Sequence, residues 1–134
     1  MRTRFLVSVL TFLAALVVLA AVPVLAQGTT PIPCTIKGTN GPDLLIGTAG
    51  RDVICGFNGN DTITAKGGND IVRGGDGADV IYGDTGNDYL YGGPGNDRIY
   101  ARDSARDHVY GGTGRDFARI DSPADLLYSV ETAY

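Results

Sequence analysis

The sequence has no tryptophan, one histidine, two cysteines and one glutamate among its fifteen acidic residues. Each shortage closes off a class of function. His108 stands alone. As a catalytic base it would need a nucleophile and an orienting partner, and nothing in the chain gives it triad spacing. Cys34 and Cys55, with one distant histidine, lack the spacing of a zinc site. An excess of basic residues is also missing: beyond position 26 there are nine basic side chains against fifteen acidic ones, a net charge of -6. Such a chain repels a nucleic acid backbone, so no nucleic acid partner is expected. The same stretch has no long apolar run and no basic amphipathic segment, so stable membrane insertion is not expected either. With 20 glycines and no tryptophan, a large apolar core is out of reach. Order must come from something other than apolar burial.

The N-terminal residues are of a different kind. Arg2 and Arg4 give a basic start, an apolar run extends from Phe5 to about Val22, and "VLA" ends at Ala26. This pattern predicts a secretory signal over residues 1–26, removed on export. The remainder divides into a leader over 27–37, a repeat region over 38–128 and a tail over 129–134.

What the chain has in abundance is aspartate on a fixed clock. Asp43, Asp52, Asp61, Asp70, Asp79, Asp88 and Asp97 fall every nine residues; one residue is then inserted, and the series resumes at Asp107, Asp116 and Asp125. Gly41, Gly50, Gly59, Gly68, Gly77, Gly86 and Gly95 lie two positions before the first seven. Two positions after each Asp comes an apolar residue, such as Ile54, Ile63, Val72, Ile81, Leu90 and Ile99. The unit is G-x-x-G-x-D-x-U-x, with U apolar. Its first six residues suit a turn, because Gly, Asn and Asp tolerate the backbone conformations that turns need. Its last three suit a short strand that points U inward.

One unit makes half a coil, so 18 residues return the chain to its starting point one strand further along. The expected fold is all-β: a β-solenoid of two parallel sheets in about five 18-residue coils. Its core would hold one side chain per strand, too little to offset about 1–2 kcal/mol of backbone entropy per ordered residue. The aspartates supply the missing term. Asp43, Asp61, Asp79, Asp97 and Asp116 would stack along one edge, and Asp52, Asp70, Asp88, Asp107 and Asp125 along the other. Stacked carboxylates repel. A hard cation between them reverses that repulsion, and glycine turns offer carbonyls to complete an oxygen shell, which suits calcium in several sites. The candidate ligands are Asp43, Asp52, Asp61, Asp70, Asp79, Asp88, Asp97, Asp107 and Asp116, with carbonyls near Gly50, Gly59, Gly68, Gly77, Gly86 and Gly95. The Asn before Asp61, Asp70, Asp88 and Asp97 is expected to serve the turn.

The units "GGDGADVIY", "GDTGNDYLY" and "GGPGNDRIY", in register from Gly74 to Tyr100, resemble the glycine- and aspartate-rich nonapeptide repeats of RTX toxins and secreted bacterial proteases. The resemblance covers Gly38 to about Tyr128. It implies a right-handed parallel β-roll with calcium in the turns, each carboxylate binding between its own turn and the turn two units away, in a secreted and bacterial protein. The match is weakest at "ARDSARDHVY" and "IDSPADLLY". Neither a protease or toxin domain beside the repeats nor an enzyme activity is expected.

Two features fall outside the clock. Cys34 precedes the first unit and Cys55 ends the second strand; after export a disulfide between them would fold the leader over the open end of the roll. Tyr82, Tyr91, Tyr100, Tyr110 and Tyr128 each close a unit and should face outward in two rows, Tyr82 with Tyr100 and Tyr91 with Tyr110 and Tyr128. The rows are explained by β propensity and cross-strand stacking. Alternatively they form a calcium-dependent surface for an extracellular glycan or protein. Self-association through the roll ends is a further expectation.

Overall fold

The structure, a computed structural model, describes residues 31–133, with side chains described up to Glu131. The expected signal segment lies outside the described residues. Among the described residues, twelve strands alternate between two parallel sheets. The first sheet runs β1 (Ile36–Lys37), β3 (Val53–Asn58), β5 (Ile71–Asp76), β7 (Tyr89–Pro94), β9 (His108–Thr113) and β11 (Leu126–Tyr128). The second runs β2 (Leu44–Ile46), β4 (Thr62–Thr64), β6 (Val80–Tyr82), β8 (Arg98–Ala101), β10 (Phe117–Ile120) and β12 (Thr132–Ala133). Each strand pairs with the strand two earlier, as in Ile54↔Val72 and Ile63↔Ile81, an offset of 18 residues. This is a β-solenoid of about five turns, as the nine-residue clock requires.

The two sheets are not equal, which a uniform three-residue strand does not anticipate. β3, β5, β7 and β9 are six residues long, whereas β4 and β6 are three. On the first sheet the residues after the strand's glycine stay paired with the next coil, as in Phe57↔Gly75 and Asn58↔Asp76. The backbone there turns left-handed (φ 80° at Phe57, 112° at Gly75) without leaving the ladder.

The inserted residue is confined to the turn between β8 and β9. The two pairings that span it have an offset of 19, with Tyr91↔Tyr110 and Ile99↔Ala118, β9 and β11 return to 18 with His108↔Leu126, and the core register survives. Ser104 takes a left-handed conformation (φ 68°), and the Asp103 carboxylate accepts the amides of Gly86 at 2.6 Å and Ala105 at 2.9 Å. A side chain thus supplies what the missing glycines cannot.

Ile54, Ile63, Val72, Ile81, Leu90, Ile99, Val109 and Ala118 are fully buried in one file between the sheets. Ala65 and Ala101, where other units have their first glycine, join the same core. Leu127 packs against its end only partly buried. Alternation sends the flanking side chains outward. Ile81→Ala is expected to lower stability by about 2–5 kcal/mol in denaturant unfolding of the calcium-loaded protein. Leu44→Ala, at an exposed position, should change it by less than about 0.5 kcal/mol.

Candidate metal centre

The ten aspartates lie where the turns enter the strands, five along each edge of the roll. Their burial follows from the fold: the next residue begins a strand, so the carboxylate tucks into its own turn. Asp61, Asp70, Asp79, Asp88, Asp97, Asp107 and Asp116 are all buried.

Each carboxylate divides its two oxygens between two tasks. Oδ1 accepts the amide of the equivalent aspartate one coil earlier. Asp61 N donates to Asp79 Oδ1 at 2.8 Å, Asp70 N to Asp88 Oδ1 at 2.9 Å, Asp79 N to Asp97 Oδ1 at 2.8 Å and Asp88 N to Asp107 Oδ1 at 2.8 Å. Oδ2 faces the inside of its own turn. In the seven turns ending at Asp61, Asp70, Asp79, Asp88, Asp97, Asp107 and Asp116 it is buried with no hydrogen-bond donor. An unpaired buried anionic oxygen is strongly unfavourable, and seven in register are not chance defects.

The turn glycines keep the space around Oδ2 open. A Cβ on Gly56 would collide with both Asp61 Oδ2 and the Gly74 carbonyl, and one on Gly74 or Gly92 would strike the matching pair in the next coils. A carboxylate oxygen and a carbonyl oxygen from neighbouring coils therefore converge on one small volume. No three acidic, histidine or cysteine side chains gather around a point among the described residues. Any ion held here needs backbone carbonyls as well as carboxylates, which is calcium chemistry rather than zinc chemistry. Gly59, Gly68, Gly77, Gly86 and Gly95 all take left-handed conformations, while Gly50 does not. At Gly77 a Cβ would also meet the Gly59 carbonyl of the previous coil, so the coils could not approach.

Burial sets the carboxylates' electrostatics. It raises the Asp79, Asp97 and Asp107 carboxyls to about 6 and Asp88 to about 7, partly opposed by the donated amides and reinforced by neighbouring carboxylates. Asp61 and Asp70 are raised for the same reason. Asp52 moves the other way: the Thr48 amide lowers it, against the effect of burial and with help from the Thr48 and Thr35 hydroxyls.

The ends of the two columns differ from the middle. Asp43 Oδ2 accepts Thr39 N at 2.6 Å and Thr39 Oγ1 at 3.0 Å; Asp52 Oδ2 accepts Thr48 N at 2.7 Å and Thr48 Oγ1 at 2.9 Å. At the other end Asp125 Oδ1 accepts Asp107 N and its Oδ2 accepts Ser122 N. On the other edge Glu131 Oε2 accepts Asp116 N at 2.5 Å. Glu131 follows Asp116 by only 15 residues, and its extra methylene lets the sole glutamate close a shortened coil. Sequence reasoning missed Thr39, Thr48 and Glu131. The available signals were a Thr after the first glycine in the first two units only, and a lone Glu where the aspartate column stops.

The asparagines act between coils rather than within a turn. Asn60 Oδ1 accepts Ala78 N, Asn69 Oδ1 accepts Asn87 N, Asn87 Oδ1 accepts Arg106 N and Asn96 Oδ1 accepts Arg115 N.

The sequence that builds this geometry matches a known repeat. The RTX calcium-binding nonapeptide repeat matches in four overlapping copies, over residues 37–72, 56–90, 73–105 and 86–118. The chain belongs to this RTX repeat family. Comparison with curated proteins and with solved structures gave no match. RTX repeats bind calcium, and the unpaired oxygens, glycine cradles and all-oxygen donor set fit that ion.

The remaining sequence candidates are placed as follows. Cys34 and Cys55 form a disulfide, and β1 pairs with β3, so the leader adds a strand at the open end of the first sheet. Cys55 lies within β3 rather than at its end and is buried. Tyr82 and Tyr100 stack at 4.8 Å on one sheet; Tyr91, Tyr110 and Tyr128 stack at 4.7 and 4.5 Å on the other. Tyr89 stacks on His108 at 4.5 Å, which gives the lone histidine a packing role.

The pH dependence follows from the raised carboxyls. In the ion-free protein, their folded pKa values lie above the unfolded value of 3.8, so folding is favoured by protonation. That stability is fully present below about pH 4 and is lost as pH rises through about 6 to 7. In chelator, circular dichroism should show more β-structure at pH 4.5 than at pH 7.5. With calcium present, protons compete for the same oxygens, and ion affinity should fall as pH drops below about 6.

Proposed function

We propose that this RTX protein is exported and folds outside the cell as calcium fills the turns, then serves as a structural or surface element rather than as an enzyme. The observation that carries this reading is the set of seven buried, unpaired aspartate oxygens in register along the two edges. A cation between coils replaces each unfavourable oxygen with a strong ionic contact, so ion binding contributes folding free energy directly. Several ions are expected, because the arrangement repeats along both edges. The disulfide suits an oxidising compartment, consistent with export. Low calcium before export would keep the chain open, and higher calcium outside would close it.

Ring geometry favours the structural role over glycan capture. Sugars stack on open ring faces, but Tyr91, Tyr110 and Tyr128 lie face to face with interplanar angles of 9° and 8°, covering one another. The tyrosines act as cross-strand ladders that brace the sheets.

Circular dichroism at pH 7.5 with calcium and then with excess EDTA tests the reading. Most of the β signal should disappear on chelation and return with calcium, and isothermal titration should count several ions. A β signal unchanged by EDTA would remove the proposed coupling. Asp79→Asn and Asp88→Asn should each raise the calcium concentration needed for half-folding several-fold.

A further inference from the structure

We infer that the first two turns of the roll are metal-free, and that residues 34–55 form a threonine-capped, disulfide-pinned end against which the calcium-dependent coils are laid. The inference rests on the calcium-binding reading above and assigns a different role to Asp43 and Asp52.

Three features set these turns apart: the first against all seven that follow, the second against six of them, and the third at Asp52. The first is hydrogen bonding. Oδ2, unpaired in the following turns, accepts both the amide and the hydroxyl of Thr39 at Asp43 and of Thr48 at Asp52. Two donors already occupy the oxygen that a cation would need. The second is backbone shape. Phe57, Lys66, Gly75, Asp84, Gly93 and Gly112 follow the first residue of their units and are all left-handed; Thr39 and Thr48, in the same place, are not. Gly41 and Gly50 are likewise not left-handed, unlike Gly59 to Gly95 in the same column. A β-branched Thr resists the left-handed region, so the sequence itself selects the alternative turn. In that turn the Thr amide and hydroxyl both reach the carboxylate four residues on.

The third is the leader. Thr35 Oγ1 donates to Asp52 Oδ1 at 3.3 Å, and Val53 N donates to Thr35 Oγ1 at 2.9 Å. Thr35 N donates to the Val53 carbonyl at 2.7 Å and Gly38 N to the Cys55 carbonyl at 2.8 Å. The Cys34–Cys55 bond ties this segment to β3 beside those contacts. Asp52 Oδ2 is therefore satisfied by Thr48, while the Thr35 hydroxyl lies within reach of both Asp52 Oδ1 and the Val53 carbonyl, at 3.3 and 3.2 Å. The result is a first coil whose Oδ2 atoms stay paired at any calcium concentration, one disulfide holding the strand that covers it.

The direct test is a crystal structure of the full chain grown with calcium. Ions are expected beside the aspartates of the following turns. Asp43 and Asp52 should keep their Thr39 and Thr48 contacts, with no ion within the roughly 2.3–2.6 Å of a calcium–oxygen bond. An ion bonded to either carboxylate would overturn the inference. A solution arm uses equilibrium dialysis with calcium alone. Asp43→Asn and Asp52→Asn should bind as many ions as the unsubstituted protein, whereas Asp79→Asn and Asp88→Asn should each bind at least one fewer. Loss of an ion in Asp43→Asn or Asp52→Asn, with β signal in calcium intact, would also overturn it. If the unsubstituted protein binds no calcium at all, it is the broader functional reading that fails.

Discussion

Each of the seven column aspartates from Asp61 to Asp116 uses one carboxylate oxygen to hold the coil before it and leaves the other for something outside the chain. Asp79 Oδ1 fixes the Asp61 amide, and Asp97 Oδ1 fixes the Asp79 amide. These bonds set the separation of the coils. The same placement seals Oδ2 inside a turn with no donor. Coil spacing and ion dependence are thus one constraint. A shorter ladder would leave no volume for a cation; a looser one would let water in and remove the need for it. The apolar file from Leu45 to Ala118 holds the sheets together but is only one side chain thick.

The ends of such a stack need their own solution, because the first and last carboxylates lack a neighbour on one side. Each terminus solves it with amides and side chains already in the chain. Thr35, Thr39 and Thr48 fill the oxygens at the N-terminal end; Ser122 and Glu131 serve at the C-terminal end. This is the capping that repeat architectures require in general. Here it acts on the polar ladder, where the unpaired groups are, more than on the apolar core.

Periodicity made most of the fold legible. The aspartate column, the apolar column from Ile54 to Val109, the 18-residue coil and the placement of Tyr82 opposite Tyr91 all follow from counting, and the Cys34–Cys55 pairing follows from their positions together with the expectation of export. Counting could not reach features that break the period or act between coils. Strand length on the first sheet depends on whether the left-handed residues at Phe57 and Gly75 stay paired with the next coil. The direction of the asparagine bonds depends on coil stacking: Asn60 reaches Ala78, 18 residues away, rather than its own turn. Thr39 and Thr48 looked like scatter among the turn residues. Their meaning rests on a switch in backbone conformation that composition does not record. The weak unit around Asp107 lacks the repeat's glycines, yet its carboxylate is as buried and unpaired as its neighbours, because Asp103 and Ser104 rebuild the turn.

The central claim is that the carboxylate ladder closes only around an ion. Hydrogen exchange at the Asp61, Asp70, Asp79 and Asp88 amides, measured at neutral pH with calcium and with chelator, reads that ladder bond by bond. These amides should exchange slowly in calcium and approach the rate of an open chain in chelator. Equal protection in both conditions would contradict the account, because it would mean that the aspartate ladder stands without the ion.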